Sequence, residues 1–187
     1  MEPIEKKHYR LRPWETGDFI SLAEHFNNIH IWNQIRDLPF PYTEKDAKAF
    51  IAFAQSREEG LDFAIDIDGR AVGNIGFAPR SNVERFNAEV GYWIAEPFWN
   101  RGIVSDALHT AAEWVFNHTT VVRLYAHVYE SNPASRRVLE KAGFRLFGKM
   151  QKAVFKNGRF LDIYGYERLK GGIEDVIETA SDKFSTE

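Results

Sequence analysis

The run from Ala88 to Phe116 limits what this chain can become more than any other stretch. Ala88-Glu89-Val90-Gly91-Tyr92-Trp93-Ile94 is apolar and strand-like and halts at Pro97. The chain then turns through Trp99-Asn100-Arg101-Gly102. Beyond it Ile103, Val104, Ala107, Leu108, Ala111, Ala112, Val115 and Phe116 repeat at helical period. A strand of that composition has to be buried in a sheet, and a helix with that one-sided stripe has to lie on it. The junction therefore sets a helix N-terminus, with its unpaired amides and the positive end of its dipole, at the end of a strand. Such an end binds phosphate when it is left open. Gly102 serves the turn or lets a ligand approach the backbone closely. The familiar nucleotide loops are absent, since neither Gly-Lys-Ser/Thr at the helix start nor the glycines of the dinucleotide fingerprint are present.

The remaining chain alternates strands and helices. His8 to Arg12 reads as a strand, and Phe19, Ile20, Leu22, Ala23 and Phe26 follow at helical spacing. An Asn-rich loop, Asn27 to Asp37, leads to Pro39 and Pro41, after which Thr43 and Asp46 form a capping box for a helix with Ala47, Phe50, Ile51 and Ala54 on its apolar face. Phe63 to Ile67 and Ala71 to Phe77 make a hairpin around Asp68-Gly69, and Pro79 to Asn87 is a polar loop. Val121 to Tyr129 is a β-branched and aromatic strand, and Asn132-Pro133-Ala134-Ser135 opens a helix that stops at Gly143. Arg145 to Lys156 and Phe160 to Glu167 pair across Asn157-Gly158. This order predicts a mixed α/β (α+β) fold with antiparallel hairpins at each end of a sheet. Residues 1–170 read as one domain and 171–187 as a polar C-terminal tail.

Composition removes several functions. Of the 187 residues, 44% are hydrophobic, enough for one buried core. A net charge of −3 offers no basic footprint for nucleic acid and no polybasic membrane patch. The count of cysteines is 0, which excludes a thiol nucleophile and thiolate metal sites, and the 6 histidines form no pair with a carboxylate at metal-ligand spacing. The N-terminus lacks the apolar stretch of a signal peptide, and no run reaches the roughly 18 apolar residues of a membrane span, so a soluble, cytoplasmic protein is expected. Ser105, Asp106 and His109 lie on one helix and cannot adopt the geometry of a catalytic triad.

Two motifs in order carry a resemblance. Gly91-Tyr92-Trp93-Ile94 followed by Trp99-Asn100-Arg101-Gly102-Ile103-Val104-Ser105, and then Asn132-Pro133-Ala134-Ser135-Arg136-Arg137-Val138-Leu139-Glu140-Lys141-Ala142-Gly143-Phe144, resemble the acetyl-CoA motifs of the GNAT N-acetyltransferase superfamily. The closest branch looks like the ribosomal-protein alanine acetyltransferases of RimJ and RimL type. Leu11-Arg12-Pro13-Trp14, Pro41-Tyr42-Thr43 and Asn157-Gly158-Arg159-Phe160 extend the likeness to about Leu169. Two departures stand out: Val104 replaces the small residue usual in the loop, and Asn100 replaces a common Gly.

The resemblance implies a GNAT fold: a mostly antiparallel twisted sheet, splayed between two parallel strands and flanked by helices. It implies acetyl-CoA as the donor, bound by the backbone of Tyr92, Trp93 and Ile94, by the loop Trp99 to Ser105, and by Asn132 and Ser135, with Arg101, Arg136 and Lys141 toward the phosphates. Glu89 matches a position where the superfamily places its base. Ser135 is the expected acid toward the leaving thiolate, with Tyr129 second. As residue types, Asn132 is equally an N-cap and Glu89 equally a solvated strand carboxylate. Trp32, Tyr42 and Glu89 are expected at the acceptor, chosen by the loops Asn28 to Pro41 and Pro79 to Asn87. A primary amine acceptor, a protein N-terminus or a small molecule, and direct transfer without a metal complete the expectation. The resemblance also implies a homodimer by analogy. The alternative is a non-catalytic acyl-CoA-binding module.

Overall fold

The computed structural model describes residues 2–36, 38–58 and 60–171. The expected polar tail, residues 172–187, lies outside the described residues. Among the described residues eight strands make one sheet in the order β1-β2-β3-β4-β5-β6-β8-β7. They are β1 Ile4–Glu5, β2 Arg10–Arg12, β3 Asp62–Ile67, β4 Arg70–Pro79, β5 Asn87–Ile94, β6 Arg123–Tyr129, β7 Arg145–Lys156 and β8 Arg159–Leu169. Every neighbouring pair is antiparallel except β5 with β6, which is parallel. Between them run α1 Phe19–Phe26, α2 Ile29–Trp32, α3 Glu44–Ser56, α4 Ile103–His118 and α5 Pro133–Lys141.

Local chemistry explains most of these elements. The β3–β4 turn bends at Asp68 and Gly69, and the β7–β8 turn at Asn157 and Gly158, all four with positive φ as two-residue hairpins of this hand require. Thr43 and Asp46 close the reciprocal box at the start of α3: Asp46 N donates to Thr43 Oγ1 at 3.3 Å and Thr43 N to Asp46 Oδ2 at 2.9 Å. The buried stripe of α4 is Ile103, Ala107, Leu108, Ala111, Ala112, Val115 and Phe116, and it joins Phe63, Ile65, Ile75, Phe77 and Leu124 in the main core.

Three differences from the sequence reading have physical reasons. The two-residue β1 pairs Ile4 with Leu11, a strand too short for any periodicity to show. The loop after α1 contains the one-turn α2 because Asn28 Oδ1 accepts from His30 N at 2.8 Å and Ile31 N at 3.4 Å. The last strand runs on to Leu169 because β6 supplies partners to that point, Arg123 facing Leu169.

A closed set of charges ties the N-terminal strands together. Arg12 donates to both oxygens of Asp18, at 2.7 and 2.8 Å, and through Nε to Asp66 at 2.7 Å. All three residues are buried. Among the described residues no helix is long and apolar enough to cross a membrane.

Candidate active site

β5 and β6 run together for only three residue pairs, Asn87 with Arg123, Ala88 with Leu124 and Glu89 with Tyr125. Past that point β5 continues against β4 to Ile94, whereas β6 continues against β8 to Tyr129. The strands part, and the side of β5 from Val90 to Ile94 that faced β6 has no strand partner among the described residues. Tyr92 reaches across from β5 to α5, its hydroxyl 2.8 Å from Ser135 Oγ and donating to Ser135 O at 3.1 Å. Burial pushes the Tyr92 hydroxyl up, with the bond to Ser135 opposing it. Gly91 is exposed, and a Cβ there would meet nothing within 4 Å. Ile94 O is taken by Trp99 Nε1 at 2.7 Å, so Trp99 braces the end of the strand.

The junction loop ends in an open helix. Asn100 (φ 59°) and Gly102 (φ 77°, ψ −5°) are left-handed, which places Gly102 where a side chain would be strained. Asn residues tolerate this region, so the Asn100 departure fits the turn. No side chain caps α4, and Ser105 Oγ instead donates to Gly102 O at 2.8 Å. The amides of Ile103, Val104 and Ser105 therefore face the junction without a side-chain acceptor. Val104 packs against the core, so its bulk is spent there. α5 differs: Asn132 Oδ1 accepts from Ser135 N at 3.0 Å, so Asn132 does cap a helix.

The basic residues expected near the phosphates are spread out. Arg101 lies over the Phe98 ring at 5.4 Å, on a groove shared with Lys6, Lys7 and Arg10. Arg136 lies over the Tyr164 ring at 4.7 Å, and its Nε is buried without a hydrogen-bond partner among the described residues. Lys141 is exposed at the far end of α5, about 9 Å along the axis from Ser135 at 1.5 Å per residue.

On the opposite face of β5 from Tyr92, Glu89 sits at the fork. Its Oε1 is 2.9 Å from His127 Nδ1 and its Oε2 accepts from Arg80 Nη2 at 2.8 Å, with Arg36 Nη2 3.7 Å from Oε1. Arg80 Nε donates to the Tyr125 hydroxyl at 2.5 Å. The His127 hydrogen bond holds Glu89 below the usual carboxylate range; partial burial opposes this, and Arg36 and Arg80 reinforce it. Sequence reasoning weighed the histidines as metal ligands, and His109 as a triad member, and missed His127, Arg80, Arg36 and Tyr125. The alternation of β6, which puts Tyr125, His127 and Tyr129 on one face, is the signal that could have found two of them. Among the described residues no group of three or more His, Asp or Glu is placed to hold a metal.

Beside this network a groove of about 450 Å³ is lined by Trp32, Arg36, Tyr129, Phe155, Lys156 and Asn157, among others. Lys156 Nζ donates to Trp32 O at 2.7 Å and also to Ile35 O, fastening the α2 segment to the β7–β8 hairpin. Trp32 and Tyr129 thus both line the groove. Tyr42 does not join them: it is 6% exposed and packs edge-on against Phe26, whose ring stacks on Trp93 at 4.4 Å. An aromatic ring after Pro41 serves the core there. Ser105, Asp106 and His109 form no triad, for Asp106 accepts from the Tyr9 hydroxyl at 2.6 Å and His109 faces Arg168.

Residues 8–145 match the acetyltransferase (GNAT) domain family. YdaF of Bacillus subtilis (strain 168) is 32% identical over 111 residues, 59% of this chain and 60% of that protein. The ribosomal-protein-serine acetyltransferase of Escherichia coli (strain K12) is 30% identical over 109 residues, 57% of this chain and 59% of that protein. The matches thus span about three fifths of these curated relatives. The crystal structure of ribosomal-protein-S5-alanine acetyltransferase from Vibrio fischeri superposes with a TM-score of 0.81 at 19% identity, covering 92% of this chain and 98% of that one, a likeness of fold. GNAT acetyltransferases use acetyl-CoA as donor, and the chain belongs to the GNAT acetyltransferase family.

Proposed function

We propose that the protein moves the acetyl group of acetyl-CoA directly to a primary amine, bound at the same time on the other side of the fork. The observation that carries this reading is the parting of β5 from β6 at Glu89, which leaves a free strand edge between an uncapped helix N-terminus and an ionised acid–base network.

The residues fit the donor. The amides of Ile103 to Ser105 suit a pyrophosphate, the empty space at Gly102 lets it come close, and the free edge of β5 suits the amide-bearing pantetheine arm as an added strand. Asn132 uses its oxygen for the cap, which leaves its amide hydrogens for the same arm. The chemistry balances as an ammonium and a thioester giving an amide, a thiol and a proton. The amine nitrogen must be deprotonated to attack the carbonyl carbon, and the sulfur must receive a proton as the C–S bond breaks. The Glu89 side of β5 serves the first need. The Tyr92–Ser135 hydroxyl pair, on the opposite face, is the donor this reading assigns to the second, with Tyr129 as the other candidate. The sequence contains 0 cysteines, so no acetyl-thiol enzyme intervenes.

The acceptor in this proposal is a free N-terminus presented by a polypeptide, with the groove at Trp32, Arg36 and Tyr129 receiving its first residues in the cytoplasm. The name of the Escherichia coli relative, a ribosomal-protein-serine acetyltransferase, supports that class. No feature among the described residues favours a non-catalytic acyl-CoA-binding module. The test is incubation with isotopically labelled acetyl-CoA and a panel of amines and short peptides with free N-termini, followed by mass spectrometry. Label on a peptide terminus is the expected result. Tight acetyl-CoA binding with no label above a protein-free control would sink the transferase reading.

A further inference from the structure

Both oxygens of Glu89 are already engaged. One carboxylate oxygen receives Arg80 and the other receives His127, with Arg36 nearby, so an acceptor proton would have to compete with these donors for the lone pairs that remain. An ionised carboxylate only accepts hydrogen bonds, so the His127 Nδ1 that faces it at 2.9 Å must be the protonated nitrogen. A neutral imidazole protonated at Nδ1 has a bare Nε2, whose lone pair is the acceptor end of the ring. Resting on the transferase reading, we infer that His127 Nε2, rather than Glu89, takes the proton from the acceptor amine, and that Glu89 is a positioning residue that fixes the tautomer.

Placement supports this assignment. His127 lies two residues beyond Tyr125, the last β6 residue paired to β5, and so at the point where the strands open. Its side chain is partly exposed. The groups around it are Glu89 on β5, Arg80 just after β4, Arg36 beyond α2, and Tyr125 on its own strand, whose ring meets the imidazole edge-on at 5.5 Å. On β8 the residue opposite is Gly165, which has no side chain to offer. The His127 hydrogen bond, reinforced by the two arginines, holds Glu89 ionised, the Tyr125 hydroxyl holds Arg80, and among the described residues the imidazole is the member of the set whose remaining nitrogen can accept a proton. In the step, the amine N–H bond breaks toward His127 Nε2 as the N–C bond to the acetyl carbon forms, and the C–S bond of the thioester then breaks to release the thiolate. The imidazolium then releases that proton to water, and the thiolate is protonated on the other face of the strand.

Two measurements test this, one independent of turnover. In protein labelled with ¹⁵N-histidine, with the His127 signal assigned against a His127→Gln sample, neutral His127 should show a protonated Nδ1 and a bare Nε2. The opposite tautomer would overturn the inference whether or not any acceptor is known, so its failure and that of the transferase reading are separable. With an active acceptor, His127→Ala should lower kcat on the order of 100-fold or more, leave the Kd for CoA within about twofold, and regain activity with free imidazole. Glu89→Gln should lower kcat about tenfold, through the lost orientation of the imidazole, while the kcat/KM profile keeps an acid limb. Retention of kcat within about threefold by His127→Ala, together with abolition of the acid limb by Glu89→Gln, would return the role to Glu89. Thermal melting of His127→Gln beside His127→Ala separates loss of chemistry from loss of fold.

Discussion

Two charge clusters in this protein use the same ingredients for opposite ends. Near the N-terminus Arg12 binds Asp18 through two bonds and Asp66 through a third, and none of these three is more than 7% exposed, with the more open Arg10 adding longer contacts to Asp66. At the fork Glu89 binds Arg80, Arg36 and His127, but the side chains of Arg80 and Arg36 are 41% and 51% exposed and His127 keeps a nitrogen uncommitted. The first cluster is closed and holds strands in place. The second is open on one side, so it can exchange a proton with a bound molecule. Completion, rather than the presence of charge, separates a brace from a reactive group.

The closed cluster should break most severely. Arg12→Ala strips Asp18 of its two bonds to the guanidinium and leaves Asp66 only the longer contacts of Arg10, and removal of one partner from such a buried set costs about 3–5 kcal/mol. Urea denaturation should show that loss, with the melted fraction tracking the lost activity. The pH dependence has a definite sign. Burial pushes Asp66 up, but the hydrogen bonds from Arg12 and Arg10 outweigh it and leave the carboxyl below its ordinary value. Its contribution is therefore present above an unfolded pKa of about 3.9 and lost as pH falls through the lower folded one.

Asp62 provides an intermediate case, paired with Arg57 but short of full compensation. Burial is the largest influence and pushes its carboxyl up to about 6, against the Arg57 contribution. A folded pKa above the unfolded one means stability that is complete below about pH 4 and lost as pH rises toward about 6. The stability difference between wild type and Asp62→Asn should accordingly change by about 2 kcal/mol across that window. A flat difference would mean that Arg57 compensates Asp62 as fully as Arg12 does its partners.

What the sequence revealed follows the same division between local and assembled features. The turns at Asp68-Gly69 and Asn157-Gly158, the box at Thr43 and Asp46, and the stripe of α4 are each set by residues within a few positions of one another, and each appears in the structure. Glu89 was legible as a carboxylate on its strand, but its partners Arg36, Arg80 and His127 come from three other parts of the chain. No spacing along the chain announces that they converge. Trp32 and Tyr42 look alike as loop aromatics, yet one lines the groove and the other is buried against Phe26. Only packing distinguishes them. Asn132 was ambiguous between cap and ligand, and the structure places its oxygen on Ser135 N.

The open cluster should respond in activity more than in stability. Arg80→Gln removes a hydrogen bond to Glu89 and one to Tyr125, both on a side chain with ready access to water. Exposed pairs contribute about 0–1 kcal/mol, so the melting temperature should change little. Activity should fall about tenfold, because Glu89 loses the partner that fixes one of its oxygens and with it the orientation it imposes on His127. A large drop in melting temperature with unchanged turnover per folded molecule would make the fork a second brace and erase the contrast.

The smallest effect belongs to Arg36, and it separates the two duties of the open cluster. At 3.7 Å its Nη2 is too far from Glu89 Oε1 for a hydrogen bond, so what remains is a screened attraction between a half-exposed guanidinium and a carboxylate already held by two nearer partners. Arg36→Gln should therefore cost no more than about 0.5 kcal/mol and leave kcat nearly unchanged. Arg36 also lines the groove with Trp32 and Tyr129, where an acceptor would displace water from it. The KM for the acceptor should consequently rise about two- to fivefold, with a smaller rise at high salt, while the KM for acetyl-CoA stays put. If instead Arg36→Gln lowered kcat as far as Arg80→Gln does, the arginine would act through Glu89 rather than on the acceptor.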